Sequence, residues 1–135
     1  SDPERTEVAN LVARKTLARS AARQKIQAHG LPCCSLISPD VDISGAVLES
    51  AVTVYHHATI GPEVFVGEGS VVFMGAVIGH EARIASDCVV AANAVLNARV
   101  QLSEGVYVGS NATILPELKI GPWATIGAGS MVMDN

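Results

Sequence analysis

The stretch "VIGHEARI", residues 77 to 84, sets a histidine beside a carboxylate, His80-Glu81, among aliphatic and small residues. Histidine is the side chain whose ordinary pKa lies nearest neutrality. With a carboxylate beside it, it can take a proton from a nucleophile while being held in one tautomer. The pair therefore reads either as a polar turn or as a general base with its orienting partner. The other histidines offer less: His29 lies near the end of a helical pattern, where the helix dipole favours a cation, and His56-His57 fall on a turn. The cysteines, vicinal Cys33-Cys34 and isolated Cys88, are odd in number and lack metal-ligand spacing, so they read as reduced thiols.

A repeat decides which elements hold the pair. Every sixth residue from Leu48 through Ile78, Ile84 and Ile114 to Val132 is Leu, Ile or Val, without a break over fifteen positions. The residues two before each of these, from Ala46 to Ser130, are small or aliphatic. Helical spacing is absent, whereas two inward positions two apart are the alternation of a strand. Gly, Pro, Asn, Asp and Ser gather just after each aliphatic position ("IGPE", "VGEG", "VGSN", "IGAG") and supply turns. Each six-residue unit is thus a short strand and a corner, and units this small bury an apolar face only by stacking into a parallel β-helix. His80-Glu81 then occupy the corner between the core positions Ile78 and Ile84.

The pattern resembles the hexapeptide-repeat proteins, whose left-handed β-helix is a three-sided prism with three hexads, or 18 residues, per coil. The fold expected is all-β: a left-handed parallel β-helix of hexapeptide repeats over residues 32–135, preceded by an N-terminal α-helical segment over residues 1–31. Fourteen six-residue steps make between four and five coils, a prism on the order of 20 Å long. In the opening segment Asp2 can cap a helix and Pro3 suits its first turn. Val8, Leu11 and Val12 recur at helical spacing, Gly30 and Pro32 supply the stop, and a break near Ser20 is possible. "SLISPDVDI", residues 35 to 43, joins the prism one residue out of the later register.

Composition bounds the function. At 135 residues one domain is expected, with 49% apolar, 16% charged and 4% aromatic residues, so Val, Ile, Leu and Ala fill the core. Residues 1–40 carry six basic and four acidic groups, and residues 41–135 carry three basic and nine acidic ones. An acidic body without an aromatic platform argues against nucleic acid. The basic opening reads as a solvated helix face, with an anionic ligand such as a coenzyme phosphate as the alternative. The apolar runs are too short for a membrane span and no signal peptide is visible, so the cytoplasm is the expected compartment.

Residues 36–135 also resemble, more specifically, the sugar acetyltransferases of the sialic acid and bacillosamine pathways, a branch of the hexapeptide-repeat acyltransferases. "LISPDVDIS" looks like that family's first coil, "AVIGHEARI" like its corner motif of a His followed by an acidic residue. "VYVGSNATILPELKIGPWATIGAGSMV" keeps its spacing without a gap. The resemblance implies an acetyl-CoA-dependent N- or O-acetyltransferase acting on a sugar or sugar nucleotide. His80 would be the general base and Glu81 its orienting partner. Ala98, one coil on, stands where the family has a Gly whose N–H donates to the thioester carbonyl, and Ser110 and Ala128 match positions lining the coenzyme channel. The coenzyme would lie between neighbouring subunits of a homotrimer; residue spacing offers no metal site and the apolar runs no membrane span. The family's second histidine corresponds to Val89, and its sugar-nucleotide-binding Gly-rich region has no counterpart, since no G-x-G-x-x-G occurs.

Two other readings bear on this one. A non-catalytic trimeric β-helix, used as a scaffold or assembly domain, would have the same repeat. A zinc hydrolyase of the γ-carbonic anhydrase kind needs two His five residues apart, a spacing absent here, and the positions one and two coils beyond His80 are Ala98 and Pro116.

Overall fold

The computed structural model describes residues 6–135. Among the described residues one helix, Thr16–Ala28, precedes sixteen strands of two residues each. From Val47–Leu48 to Met131–Val132, the second residue of every strand is the aliphatic residue of the period-six series. The strands form three parallel sheets of six, five and five members, which are the three faces of a prism of about five coils. Ile78 pairs with Leu96 and Ile84 with Leu102, so one coil is 18 residues. The lead-in strand Leu36–Ile37 pairs Ile37 with Val54, a step of 17, which is the offset expected from the sequence. This lead-in turn accounts for the coil beyond the sequence count, which began at Leu48.

The inward column of each face carries the core. Ile78, Ile84, Leu96 and Ile114 are buried, as are the small residues two before each, Ala76, Ala82, Ala94 and Ala112. Burying each large aliphatic contributes roughly 1.5 to 3 kcal/mol. The small residues leave room for the three sheets to close on one another. Between coils, backbone bonds run in register, as from the Gly79 N–H to the Leu96 carbonyl at 2.7 Å.

From Leu48 onward each corner turns through one residue with positive φ, three after the aliphatic position. Ten of these are not glycine, among them His57, Glu81, Arg99 and Glu117 at φ 60 to 68°. A left-handed backbone costs an L-residue about 1 to 2 kcal/mol, and the interlocked ladders above and below hold it. The first residue of each corner donates its N–H to no backbone carbonyl among the described residues. That is why Pro62, Pro116 and Pro122 are tolerated at this position.

The N-terminal segment is less helical than its spacing predicts. Residues 6–15 are not helical, and Val8 bridges Cys33 in parallel. The cause lies in Arg19, whose Nη1 donates to the carbonyls of Asn10 at 3.0 Å and Val12 at 2.8 Å, while Asn10 Nδ2 donates to the Arg19 carbonyl. Those carbonyls take a guanidinium in place of helical N–H groups, and the helix runs unbroken through Ser20. The caps expected at Asp2 and Pro3 lie outside the described residues.

The basic residues of the helix are not all a solvated face. Arg19 and Arg23 are buried: Arg19 Nε donates to the Gly69 carbonyl, and Arg23 grips the fully buried Asp87 with two 2.7 Å bonds. The segment thereby lies across one face of the prism, where the outward residues Thr53, Val71 and Val89 are buried, whereas Val47 and Val77 on the other faces are exposed. No helix among the described residues is long and apolar enough to cross a membrane.

Candidate active site

His80 and Glu81 occupy the corner joining the strand Val77–Ile78 to the strand Arg83–Ile84. Gly79 makes the corner close enough to its upper neighbour: a Cβ there would sit 2.7 Å from the Ala98 nitrogen. Below, the Glu81 N–H donates to the Pro62 carbonyl at 3.0 Å; above, the His80 carbonyl accepts from Arg99 N–H at 2.9 Å. The backbone of the pair is therefore fixed from both sides. The side chains are open to solvent, 49% and 44% exposed, and His80 Nδ1 lies 3.0 Å from Glu81 Oε1.

Across this contact a Glu81 carboxylate can accept a hydrogen bond from Nδ1–H, the tautomer that leaves the lone pair on Nε2. One coil above, about 4.8 Å along the prism axis, Ala98 holds the first position of its corner. Its N–H has no acceptor among the described residues. His80, Glu81 and the Ala98 N–H thus share one edge of the prism.

Two charged residues that sequence reasoning did not single out complete this edge. Arg99 and Glu117 stand one and two coils above Glu81 in the same left-handed corner position. Arg99 Nη1 is 3.6 Å from Glu81 Oε1, and Arg99 Nη2 and Nε donate to Glu117 Oε1 at 2.7 and 3.2 Å. The Glu117 hydrogen bonds, followed by its charge, raise the Arg99 pKa above its ordinary value. The signal was present: positions 81, 99 and 117 alternate in charge at the 18-residue period.

Ser110 and Ala128 are elsewhere. They stack on the edge between the helix-covered face and the face containing Val95–Leu96 and Thr113–Ile114, so that second face separates them from His80 within one chain. Ser110 lines a cavity of about 330 Å³ with Ala13, Arg14, Phe73 and Tyr107. Val89 is fully buried on the covered face.

The remaining candidates are engaged structurally. His29 Nδ1 lies 2.8 Å from the Lys25 carbonyl at the helix end. The exposed His57 sits 3.3 Å from Asp40, and Asp40 is held below the usual carboxylate range first by the Ser38 hydroxyl and then by the His57 N–H. Burial raises the Cys33 thiol and pushes Cys88 up to about 12. All three cysteines are free. Among the described residues no three His, Cys, Asp or Glu side chains cluster as metal ligands.

No family model matches the chain, and no curated protein does. Solved structures do match. A histidine-to-asparagine variant of perosamine N-acetyltransferase from Caulobacter crescentus, in complex with CoA and GDP-perosamine, aligns with a TM-score of 0.86 and 24% identity. The alignment covers 90% of this chain and 58% of that one. WeeI from Acinetobacter baumannii AYE aligns at 0.74 and 17% identity, over 99% of this chain and 66% of its own. The acetyltransferase domain of PglB from Neisseria gonorrhoeae FA1090 aligns at 0.54 and 20% identity, over 100% and 66%. At these identities the likeness establishes a shared fold, and this chain spans between 58% and 66% of the length of these structures.

Proposed function

We propose that the chain is an acetyl-CoA-dependent acetyltransferase that moves an acetyl group to an amine or hydroxyl of a sugar or sugar nucleotide. The observation that carries this is the 3.0 Å His80 Nδ1–Glu81 Oε1 contact on a solvent-open corner, one coil below the unpaired Ala98 N–H. Two of the structures sharing the fold are named as acetyltransferases, and one of these holds CoA and GDP-perosamine.

Glu81 keeps the Nδ1 proton, so His80 Nε2 takes the proton of the acceptor amine or hydroxyl as that atom attacks the thioester carbonyl. The carbonyl oxygen gains negative charge, which the Ala98 N–H stabilises. Collapse expels the coenzyme as thiolate, which recovers the proton from the imidazolium. No covalent enzyme intermediate forms, and the step needs no metal.

Ser110 and Ala128 contact the coenzyme from a neighbouring copy, because one chain keeps them on a different edge from His80. In this reading the working assembly is a homotrimer, as the resemblance of the repeat implies, with the coenzyme in the groove between subunits. Residues 32–135 form the acyl-transfer domain, residues 1–31 are its N-terminal segment, and the cytoplasm supplies the coenzyme.

The same three-sheet prism also serves a second reading, a non-catalytic trimeric β-helix scaffold or assembly domain. Titrating CoA into the protein in a calorimeter separates the two. Saturable heat at one site per chain is expected of the acetyltransferase, and no heat up to millimolar CoA is expected of the scaffold.

A further inference from the structure

We propose that Arg99 is a positioning residue that holds the Glu81 carboxylate against the His80 ring. This rests on the acetyl-transfer reading above.

Three observations lead to it. Glu81 Oε1 is the oxygen approached both by His80 Nδ1 at 3.0 Å and by Arg99 Nη1 at 3.6 Å. Glu117 anchors the guanidinium from the far side through Nη2 and Nε, so Arg99 is gripped between two carboxylates. Glu81 and Arg99 share the left-handed corner conformation, at φ 61 and 60°, so the prism repeats one backbone geometry under both side chains.

The network is exposed, and exposed ion pairs add little to stability. Its consequence is geometric. A lone surface carboxylate samples several rotamers, and only those that meet Nδ1 hold the imidazole with Nε2 as the free base. A guanidinium fixed by Glu117 favours the rotamer that brings Glu81 to the ring, because its planar fork is pre-organised. Arg99 touches neither acceptor nor coenzyme in this account and acts through Glu81.

The test compares native protein with Arg99→Met, Arg99→Lys and Glu117→Gln. Long-range proton–nitrogen NMR of the His80 ring reads the tautomer without any need for turnover. The native ring is expected with the proton on Nδ1, Arg99→Met with a mixture of tautomers, and Glu117→Gln between them. In steady-state assays, kcat of Arg99→Met is expected to fall by roughly tenfold to a hundredfold at unchanged KM for acetyl-CoA, Arg99→Lys recovers part of the loss, and melting is unaltered. A native tautomer pattern in Arg99→Met overturns the proposal. So does a rise in KM alone, which would make Arg99 a ligand contact. If the native protein transfers no acetyl group, the acetyltransferase reading fails while the tautomer comparison still decides the role of Arg99.

Discussion

Arg23 and Asp87, 64 residues apart, meet in a two-pronged ion pair with both N–O distances at 2.7 Å and the Asp87 side chain wholly buried. The pair fastens the N-terminal helix to a prism corner. Gly69 leaves the room for it, since a Cβ there would lie 2.3 Å from Asp87 Oδ1 and 2.6 Å from Arg23 Cδ.

Removing Asp87 leaves the buried Arg23 guanidinium only Glu68, 3.4 Å away, and Gln27 at 3.3 Å. Asp87→Ala is expected to destabilise the protein by about 3 to 5 kcal/mol, with helical circular dichroism lost at lower urea than the sheet signal. A loss below about 1 kcal/mol would show that the pair behaves as a surface bridge.

The core column makes its own prediction. Ile84 is fully buried between neighbouring coils. Ile84→Val should cost about 0.5 to 1.5 kcal/mol in equilibrium unfolding, whereas Ile84→Asp places an unpaired carboxylate where no partner exists and should leave no folded protein. A cooperative native transition in Ile84→Asp would contradict the assigned register.

Alkaline pH tests the burial of Cys88, whose Sγ donates to the Ser103 carbonyl at 3.1 Å. Its folded pKa, about 12, lies above the unfolded value, so the unfolded chain loses the thiol proton first as pH rises. The thiol's contribution is therefore whole below about 9 and fades between about 9 and 12, at roughly 1.4 kcal/mol per pH unit. Between these limits the native urea midpoint should fall more steeply than that of Cys88→Ala; parallel profiles would mean that the thiol ionises equally in both states.

The fold was legible because a core filled by one aliphatic residue every six leaves its register in plain view from Leu48 to Val132. The one-residue offset of the lead-in strand was legible for the same reason. The non-helical run of residues 6–15 was not, because Val8, Leu11 and Val12 have helical spacing and the group that overrides it, Arg19, acts through carbonyls seven and nine residues away. Nor was the burial of Arg23, whose partner Asp87 is remote in sequence. At the candidate site, His80 and Glu81 were visible as residue types on a corner. Arg99 and Glu117 needed the 18-residue period to be applied to charges as well as to the core.

The central claim is that His80 takes the acceptor's proton, and His80→Ala measures it most directly. The substitution removes an exposed ring from a corner whose backbone is fixed by its neighbours, so CoA binding and melting should match the native protein. Acetyl transfer from acetyl-CoA to the sugar acceptor should fall by at least about a hundredfold, the low end for losing a general base. Native turnover in His80→Ala, with the protein folded and binding CoA, would contradict the account.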